Sequence, residues 1–498
     1  MNGIAEKRSE SSHRSLTLTF PDRSLLSAPA PCVAESISCD FWSLILPLVR
    51  VPRPALPPWL LAGTAVLPVF VWWLGWHPGF ASSDTIDQFG QIAGGVYFDH
   101  HPAIHTLYLN VLSLGGAQPG LVTLFQLLLL GVLLVYAARW LVEAGVPIWL
   151  AVGAAWLLGL SPAVAPTTLA LWKDVPFGLL MLWAWVELLA LAVDPERADR
   201  PWPAVRLGLA LAGVWQLRGN GPITVLPVLL VLAWVYRRQL RLIGITVGTT
   251  VLALFLIVGP LYAVIDVQGS AVEPAQVFLP DLAASYSNEP QTFSHADIDL
   301  LEAVAPLAIW TDRYDCRDST PLLFDPEFNQ APVRESPGEY LGLEIDVLFR
   351  DFDSVLAHRL CAANFVYAPA QPQDAYLHRP PYDIPPNTVG LARDPLVGWA
   401  FDLTDRVWRW AEIDSRLWLT WRPAILLLPA LAAVVVFAFR ARRFLLPSTV
   451  LVAHTFNVLA TSPAQEFRYA YPLYLIAALT LTLLWPALRR SAELAEKR

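Results

Sequence analysis

Residues 119–141 read PGLVTLFQLLLLGVLLVYAARWL, an apolar run with a single charged side chain at Arg139. A helix that crosses a membrane needs roughly 20 such residues, because each backbone polar group must be satisfied within the segment. The run therefore predicts a transmembrane helix. Nine further apolar segments predict the same structure, at residues 58–76, 147–164, 175–193, 202–217, 222–236, 242–264, 417–439, 444–460 and 469–488.

The composition of the whole chain agrees with these segments. Of its 498 residues, 55% are hydrophobic and 15% are charged, and the mean hydropathy is +0.47. Soluble domains carry roughly a quarter charged residues, so an ordinary water-soluble enzyme is excluded. The net charge of −8 has the wrong sign for a nucleic-acid partner. We expect an all-α polytopic membrane protein with about 10–11 transmembrane helices.

Basic residues indicate which side of the membrane each loop occupies. The clusters at Arg50 and Arg53, at 237–241, at 440–443 and at 489–498 all lie on one side, and short basic loops favour the cytoplasm. Both termini are therefore expected to be cytoplasmic, in the cell (inner) membrane. Residues 1–56 are predicted to be a mostly disordered cytoplasmic extension, and 489–498 a cytoplasmic tail.

A long polar stretch divides the membrane segments into two groups. Residues 57–264 form the first membrane module, with an external loop at 77–118, and 417–488 form the last three spans. Residues 265–416 are then an external domain, since a structureless loop of that length would be unusual. It has helix-like patches at 296–305 and 340–363. It contains two cysteines, Cys316 and Cys361, and the sequence favours neither a disulfide between them nor two free thiols.

The first external loop carries the densest polar pattern, HPGFASSDTIDQFGQIAGGVYFDHHPAIH at residues 77–105. Its side chains at 84, 87, 88 and 91 have the spacing of one helix face, after a cap at Ser82 or Ser83 and before a stop at 94–95. In isolation such a loop is typical of a solvated acidic helix. The polar side chains of this loop that we consider for the site are Asp84, Asp87, Gln88, Asp99, His100 and His101.

Three further polar spots lie on the same predicted side of the membrane. They are Lys173-Asp174 before one span, Arg218-Gly219-Asn220 between two spans, and Arg468-Tyr469 at the start of the last span. Alone, each has an ordinary explanation as a helix cap or a snorkelling arginine. Together they place basic side chains at the external ends of spans, where the positive-inside bias disfavours them, and opposite the carboxylates of the first external loop. Arginine binds phosphate oxygens and aspartate can accept a proton, so we expect group transfer from a membrane-anchored phosphate donor.

At these residues the chain resembles the GT-C superfamily of polytopic glycosyltransferases, and more narrowly the protein mannosyltransferases and lipid A aminoarabinose transferases. The resemblance covers roughly 59–261 well and the last spans moderately, and it does not extend to the external domain. Family members carry an acidic residue in the first external loop, then a Gly and an Asp followed by His or Pro, and a second acidic residue at a later span. Many have Asp-Glu at the first position, whereas this chain has Asp84-Thr85, so Asp84 and Asp87 both remain candidates for the base.

The resemblance implies transfer of a sugar from a polyprenyl-phosphate carrier, with inversion, to a glycan, lipid or protein acceptor on the non-cytoplasmic face. Asp84, with Asp87 as its competitor, would activate the acceptor hydroxyl, and Asp174 would orient the acceptor or support the base. The residues expected to bind phosphate or other parts of the substrates are Lys173, Arg218, Arg468, Gln88, Asp99, His100, His101, Asn220 and Tyr469. No cofactor is certain, and a divalent metal is left open by the histidines near these carboxylates.

Other classes of membrane protein remain as alternatives. A lipid-linked glycan ligase or polymerase would place key Arg and His residues in a large external loop, and 313–359 contains several. A transporter or flippase needs polar or broken helices at the midplane of the bilayer. A non-catalytic scaffold would not require Asp84, Asp174 and Arg218 to converge.

Overall fold

The structure, a computed structural model, describes residues 57–99, 101–269, 273–371 and 378–489, with the side chains of 58 and 273–276 left aside. The predicted extension at 1–56, His100 and the tail beyond residue 489 lie outside these ranges. Within them the regular structure is helical, and β pairing is limited to isolated bridges. The prediction of an all-α protein is confirmed.

The first membrane module consists of long apolar helices separated by short connections. A 3₁₀ turn at Pro58–Ala65 leads directly into its first helix. The helices are α1 (Val66–Gly75), α2 (Ser83–Gly94), α3 (Ala103–Leu112), α4 (Pro119–Glu143), α5 (Ile148–Leu160), α6 (Val164–Thr168), α7 (Asp174–Val193), α8 (Pro201–Leu217), α9 (Gly221–Val235), α10 (Leu240–Leu256) and α11 (Tyr262–Val264).

Residues 265–416, which we call the insert, contain shorter helices with a hydrophobic core of their own at residues 279–355. The predicted patch at 296–305 is a helix, and the patch at 340–363 is two helices separated at Asp351. The helices are α12 (Glu273–Asn288), α13 (His295–Val304), α14 (Leu307–Asp312), α15 (Thr320–Leu323), α16 (Ala331–Glu335), α17 (Pro337–Arg350), α18 (Phe352–Ala362), α19 (Asn364–Tyr367) and α20 (Gly398–Ala411). The insert also contains a disulfide between Cys316 and Cys361.

The C-terminal membrane helices follow the insert. They are α21 (Leu417–Thr420), α22 (Ala424–Arg440), α23 (Leu445–Thr461) and α24 (Phe467–Thr482). Each of the ten predicted apolar segments is helical over most of its length, although 417–439 forms two helices, α21 and α22, rather than one. The sequence predicts about 10–11 transmembrane helices, whereas within the described ranges six helical stretches are long and apolar enough to cross a membrane, and Trp59–Gly75, Ile148–Leu160 and Gly221–Val235 are apolar but shorter. The six are Pro119–Glu143, Asp174–Val193, Leu240–Val264, Asp414–Arg440, Arg442–Thr461 and Phe467–Arg489. The chain is a multi-pass membrane protein.

The packing of α7 determines which helix ends meet. Nearly every side chain of α7 is buried, and the helix packs against α4, α8, α23 and α24. The first residue of α7 is Asp174, the residue after α8 is Arg218, and the second residue of α24 is Arg468. Because these ends lie on the same side of the packed group, polar side chains that are far apart in sequence can converge there.

Candidate active site

A short backbone pairing joins the first polar loop to the segment before α7. The amide of Phe80 donates to the carbonyl of Leu169 at 2.9 Å, and the amide of Leu171 donates to the carbonyl of Phe80 at 2.8 Å. The pairing depends on Gly79, whose φ is +128° and where a Cβ would lie 2.4 Å from the Leu169 oxygen. This close approach sets the register between Asp84 and Asp174.

Side chains then fix the start of α2 against the same segment. The Ser82 amide donates to Thr85 Oγ1 at 3.3 Å, and that hydroxyl donates to the Leu171 carbonyl at 3.2 Å. The indole of Trp172 donates to Ser82 Oγ at 2.9 Å. Ser82, rather than Ser83, therefore precedes the helix, and Asp84 lies in its first turn.

Asp84 is surrounded by positive charge. Its Oδ2 accepts from Arg468 Nη1 at 2.9 Å, and its Oδ1 lies 4.0 Å from His101 Nε2. Burial by itself raises the pKa of Asp84, but the charges of Arg468, His101 and Lys173 outweigh it and lower the pKa to about 2. The carboxylate is therefore ionised at any physiological pH.

Lys173 extends this group on the side of His101. Its Nζ lies 3.5 Å from His101 Nδ1. Burial lowers the pKa of Lys173, and the neighbouring carboxylate of Asp174 opposes the effect only in part. The lysine therefore supplies a partly desolvated donor beside the two aspartates.

Asp174 forms the second acidic centre of the site. Its side chain is 1% exposed and forms an ion pair with Arg218, which is 12% exposed. Lys173 and not Asp174 is the N-cap residue of α7, and the Oδ2 of Asp174 has no hydrogen-bond partner among the described residues. An isolated buried carboxylate oxygen is costly, so this atom is available to a ligand that brings a donor.

Tyr469 links the two acidic centres. The Arg218 guanidinium stacks on its ring at 4.5 Å, and that of Arg468 lies 5.3 Å from the same ring centre. Two guanidinium groups, each paired with one aspartate, thus contact the same ring. Asp84, Asp174 and Arg218 therefore belong to one continuous site, as the transferase hypothesis requires and a scaffold does not.

Two residues of this site were missed in the sequence. Glu466 forms an ion pair with Arg468, and His378 Nδ1 lies 3.8 Å from Glu466 Oε1. The position of Glu466, two residues before Arg468, was an available signal. His378 gives no such signal, because only the fold brings the insert against α24.

Two predicted site residues of α2 lie elsewhere. Asp87 is on the exposed side of the helix, where it accepts a hydrogen bond from Gln91 at 2.8 Å. Gln88 is buried between α2 and α3, and it contacts His105 Nδ1 at 2.9 Å and donates to Thr106 Oγ1 at 3.0 Å. Asp84 alone of the α2 carboxylates is therefore within the ionic network.

Asp99 and Asn220 also make contacts other than those expected. Asp99 Oδ1 accepts from the amide of Ala103 at 2.8 Å and so caps the start of α3. Asn220 donates to Thr461 Oγ1 at 2.7 Å and joins α9 to α23. Both residues hold helices that surround the site.

The donor set does not fit a divalent metal. Within the described ranges, which exclude His100, no three His, Cys, Asp or Glu side chains are grouped to hold an ion. The carboxylates of Asp84 and Asp174 instead face guanidinium groups, and these would repel a cation. We therefore derive no step through a metal.

Five of the basic side chains at 313–359 that a ligase or polymerase would use contact other residues of the insert. His358 Nδ1 lies 3.0 Å from the hydroxyl of Tyr314. The arginines form ion pairs with carboxylates: Arg313 with Asp325, Arg317 with Asp315, Arg350 with Asp297 and Arg359 with Asp281.

An apolar groove of about 660 Å³ runs between α8, α9 and α10. Trp215, three residues before Arg218, is one of its lining side chains. Val258 and Gly259 line both this groove and a smaller pocket of about 290 Å³ that contains Asp99 and Tyr262. A lipid-sized apolar space thus adjoins the polar loop of the site.

Comparisons with known proteins give one partial likeness. No protein-family model matches the chain, and no curated protein matches it. Among solved structures, the chain is similar to a protein O-mannosyltransferase complex of S. cerevisiae bound to the sugar donor. The identity is 20%, the TM-score is 0.37, and the match covers 46% of this chain and 36% of that chain. The chain thus matches about a third of the length of the yeast protein.

Proposed function

We propose that this chain is a membrane glycosyltransferase that moves a sugar from a polyprenyl-phosphate donor to an acceptor hydroxyl on the non-cytoplasmic face. The observation that carries the proposal is that two aspartate–arginine pairs, Asp84–Arg468 and Asp174–Arg218, meet at the ring of Tyr469. The motif resemblance of the first polar loop to GT-C enzymes supports the same reaction class.

The cations of the site would bind the donor phosphate. Arg468 and Arg218 offer planar donors that match phosphate oxygens, and Lys173 adds a point charge. These groups already face carboxylates, so the phosphate must compete with Asp84 for Arg468. As the bond to the sugar breaks, negative charge grows on the phosphate, and the cations stabilise it.

Competition between the donor phosphate and Asp84 for Arg468 would allow Asp84 to act as the base. While Arg468 is paired with it, the pKa of Asp84 is about 2 and its affinity for a proton is low. Once the phosphate draws Arg468 away, the pKa rises toward its ordinary value and the carboxylate can accept a proton. The acceptor oxygen then bonds to the anomeric carbon, the bond from that carbon to the phosphate oxygen breaks, and the polyprenyl phosphate leaves with inversion.

Asp174 and His101 complete the proposed site. The Oδ2 atom of Asp174, buried and without a partner among the described residues, would accept a hydrogen bond from the acceptor or the sugar. His101, between Asp84 and Lys173, is placed to bond the same substrates. Asp87 takes no part in this scheme.

The apolar groove between α8, α9 and α10 would hold the prenyl chain of the donor. Its walls are almost wholly hydrocarbon, with Leu226, Val251 and Phe255 among the lining residues. An apolar groove can receive a long isoprenoid from the bilayer without exposing a polar group to hydrocarbon, whereas the hydroxyls of a sugar would find no hydrogen-bond partner there. The acceptor class, whether glycan, lipid or protein, is left to experiment.

The test is transfer by the purified full chain in liposomes. Polyprenyl-phosphate-linked sugars would be supplied with extracted envelope glycans, lipids or proteins, and release of polyprenyl phosphate would be measured. We expect release that depends on an acceptor and on Asp84. The absence of release from every donor by a folded protein would reject the proposal.

A further inference from the structure

The segment just before α24 is held by the insert on two sides. The amide of Gln465 donates to the Arg317 carbonyl at 2.9 Å, and its side-chain amide donates to the Cys361 carbonyl at 2.8 Å. Both acceptors adjoin the Cys316–Cys361 disulfide. The part of the chain that carries Glu466 and Arg468 is therefore clamped by a cross-linked part of the insert.

His378 forms the other side of this clamp. Its amide donates to the carbonyl of Gln465 at 2.8 Å, and its carbonyl accepts from the amide of Phe467 at 3.0 Å. The imidazole thereby lies over Glu466, with Nδ1 and Oε1 3.8 Å apart. The backbone contacts fix the side-chain contact, because they set the register of the two segments.

From His378 a chain of ionic contacts runs into the site. His378 faces Glu466, Glu466 pairs with Arg468, and Arg468 pairs with Asp84 at 2.9 Å. Arg468 thus lies between the carboxylates of Asp84 and Glu466, and Glu466 is in contact with His378 of the insert. The proposed donor phosphate must bind this same arginine.

We propose that His378 is a positioning residue of the transfer site, which holds Glu466 and so sets how freely Arg468 can bind the phosphate of the donor. The inference rests on the proposed function. When the imidazole is protonated it shares the charge of Glu466, and this loosens the hold of Glu466 on Arg468. A phosphate then binds more tightly than it does with a neutral imidazole.

The surroundings of His378 allow this titration in a useful range. Its contact with the Glu466 carboxylate raises its pKa above 6.5, burial opposes the rise, and the charge of Asp318 adds to it. Arg468 is the cation that works against protonation. The group is half exposed, so protons exchange with solvent without any opening of the fold.

The experiment measures equilibrium binding of undecaprenyl phosphate to the full chain in lipid nanodiscs at pH 6 and at pH 8.5. The variants are His378→Gln, Glu466→Gln and, as a matched control, His295→Gln, an exposed histidine at the start of α13. The phosphate itself titrates in this range, so the informative quantity is the ratio of each variant's Kd to that of the wild type.

We expect His378→Gln to bind about threefold to fivefold more weakly than the wild type at pH 6, the scale of a half-exposed ion pair, and equally at pH 8.5. Glu466→Gln should lose the pH dependence that His378 adds, and His295→Gln should match the wild type. An equal loss at both pH values, or none, would overturn the role of His378 and leave the proposed function intact. A folded wild type that binds no polyprenyl phosphate would instead refute the donor, and the role of His378 with it.

Discussion

Asp84 and Asp87 lie one turn apart on α2, yet their surroundings differ completely. Asp84 touches Arg468 and faces His101, whereas Asp87 is exposed and bonded to Gln91. The sequence identified both as candidates for the base, because their spacing predicts a shared helix face but does not predict which side chains each of them contacts. Arg468 is 384 positions from Asp84, and only the packing of α24 shows that they meet.

Replacing these two aspartates separately should distinguish them. Asp84→Asn removes the proposed base and should lower the transfer rate by about 10²–10⁴-fold, the usual contribution of a general base. Asp87→Asn changes the same charge on the same helix and should retain nearly full activity. Transfer assays in liposomes measure both, and circular dichroism checks that each variant is folded. Equal losses in the two variants would refute the assignment.

Arg468 should resist even a conservative change. It contacts Asp84, Glu466 and the ring of Tyr469 at once, which a lysine ammonium on a flexible stem cannot do. We expect Arg468→Lys to raise the KM for the donor by about tenfold, while Arg409→Lys, an exposed arginine of α20, should have no effect. Steady-state kinetics at several donor concentrations provides the measurement, and an unchanged KM would remove Arg468 from donor binding.

At the level of elements, the apolar runs predicted the helices well because hydrophobic length is a local property. The segment at 119–141 became α4, and the Gly94-Gly95 pair ends α2, with Gly95 in the left-handed region at φ +68°. The insert was less predictable. Its second patch divides at Asp351, whose carboxylate accepts from the amide of Ser354 and so begins α18.

A carboxyl pair between α12 and α17, formed by the buried Asp281 and the half-buried Glu344, makes the insert sensitive to pH. Burial and the adjacent Asp281 raise the pKa of Glu344 from 4.5 to about 9. A group whose pKa is higher in the folded state stabilises the fold below its unfolded pKa, and that stability is lost as the pH rises toward the folded value. The insert should therefore lose stability between about pH 4.5 and pH 9.

Glu344→Gln keeps a donor for Asp281 and removes the titration. Near pH 9 the variant should unfold about 2–4 °C above the wild type, with little difference near pH 5. Glu339→Gln, on the exposed side of the same helix, should follow the wild type at both values. Thermal unfolding of the purified chain measures the shift, and a variant less stable than the wild type near pH 9 would contradict the account.

For the whole molecule, the sequence predicted a polytopic protein with polar residues gathered at one side, and the helices of the structure bring most of them together. The convergence at Tyr469 could not be predicted, because it depends on how α7, α8 and α24 pack. Residues 88, 99 and 220 have suitable side chains, but these bond to neighbouring helices and not to the site. A sequence pattern shows which residues share a helix face, but not which other helix that face contacts.

The predicted orientation can be tested with single cysteines in a chain that lacks the native four. Asp299→Cys in the insert should react with a membrane-impermeant maleimide in intact cells, because the insert is expected outside. Arg238→Cys, in the loop between α9 and α10, should react only after the cells are opened. The reverse pattern would place the proposed site on the cytoplasmic side.

The most direct test of sugar transfer is mass spectrometry of envelope glycans, glycolipids and glycoproteins in three strains of the source organism. They are the wild type, a deletion, and the deletion carrying Asp84→Asn. We predict that one sugar residue is missing from an envelope product in the deletion and in the Asp84→Asn strain, while the polyprenyl-phosphate sugar accumulates in both. Identical glycans in all three strains, with no accumulated donor, would contradict the account.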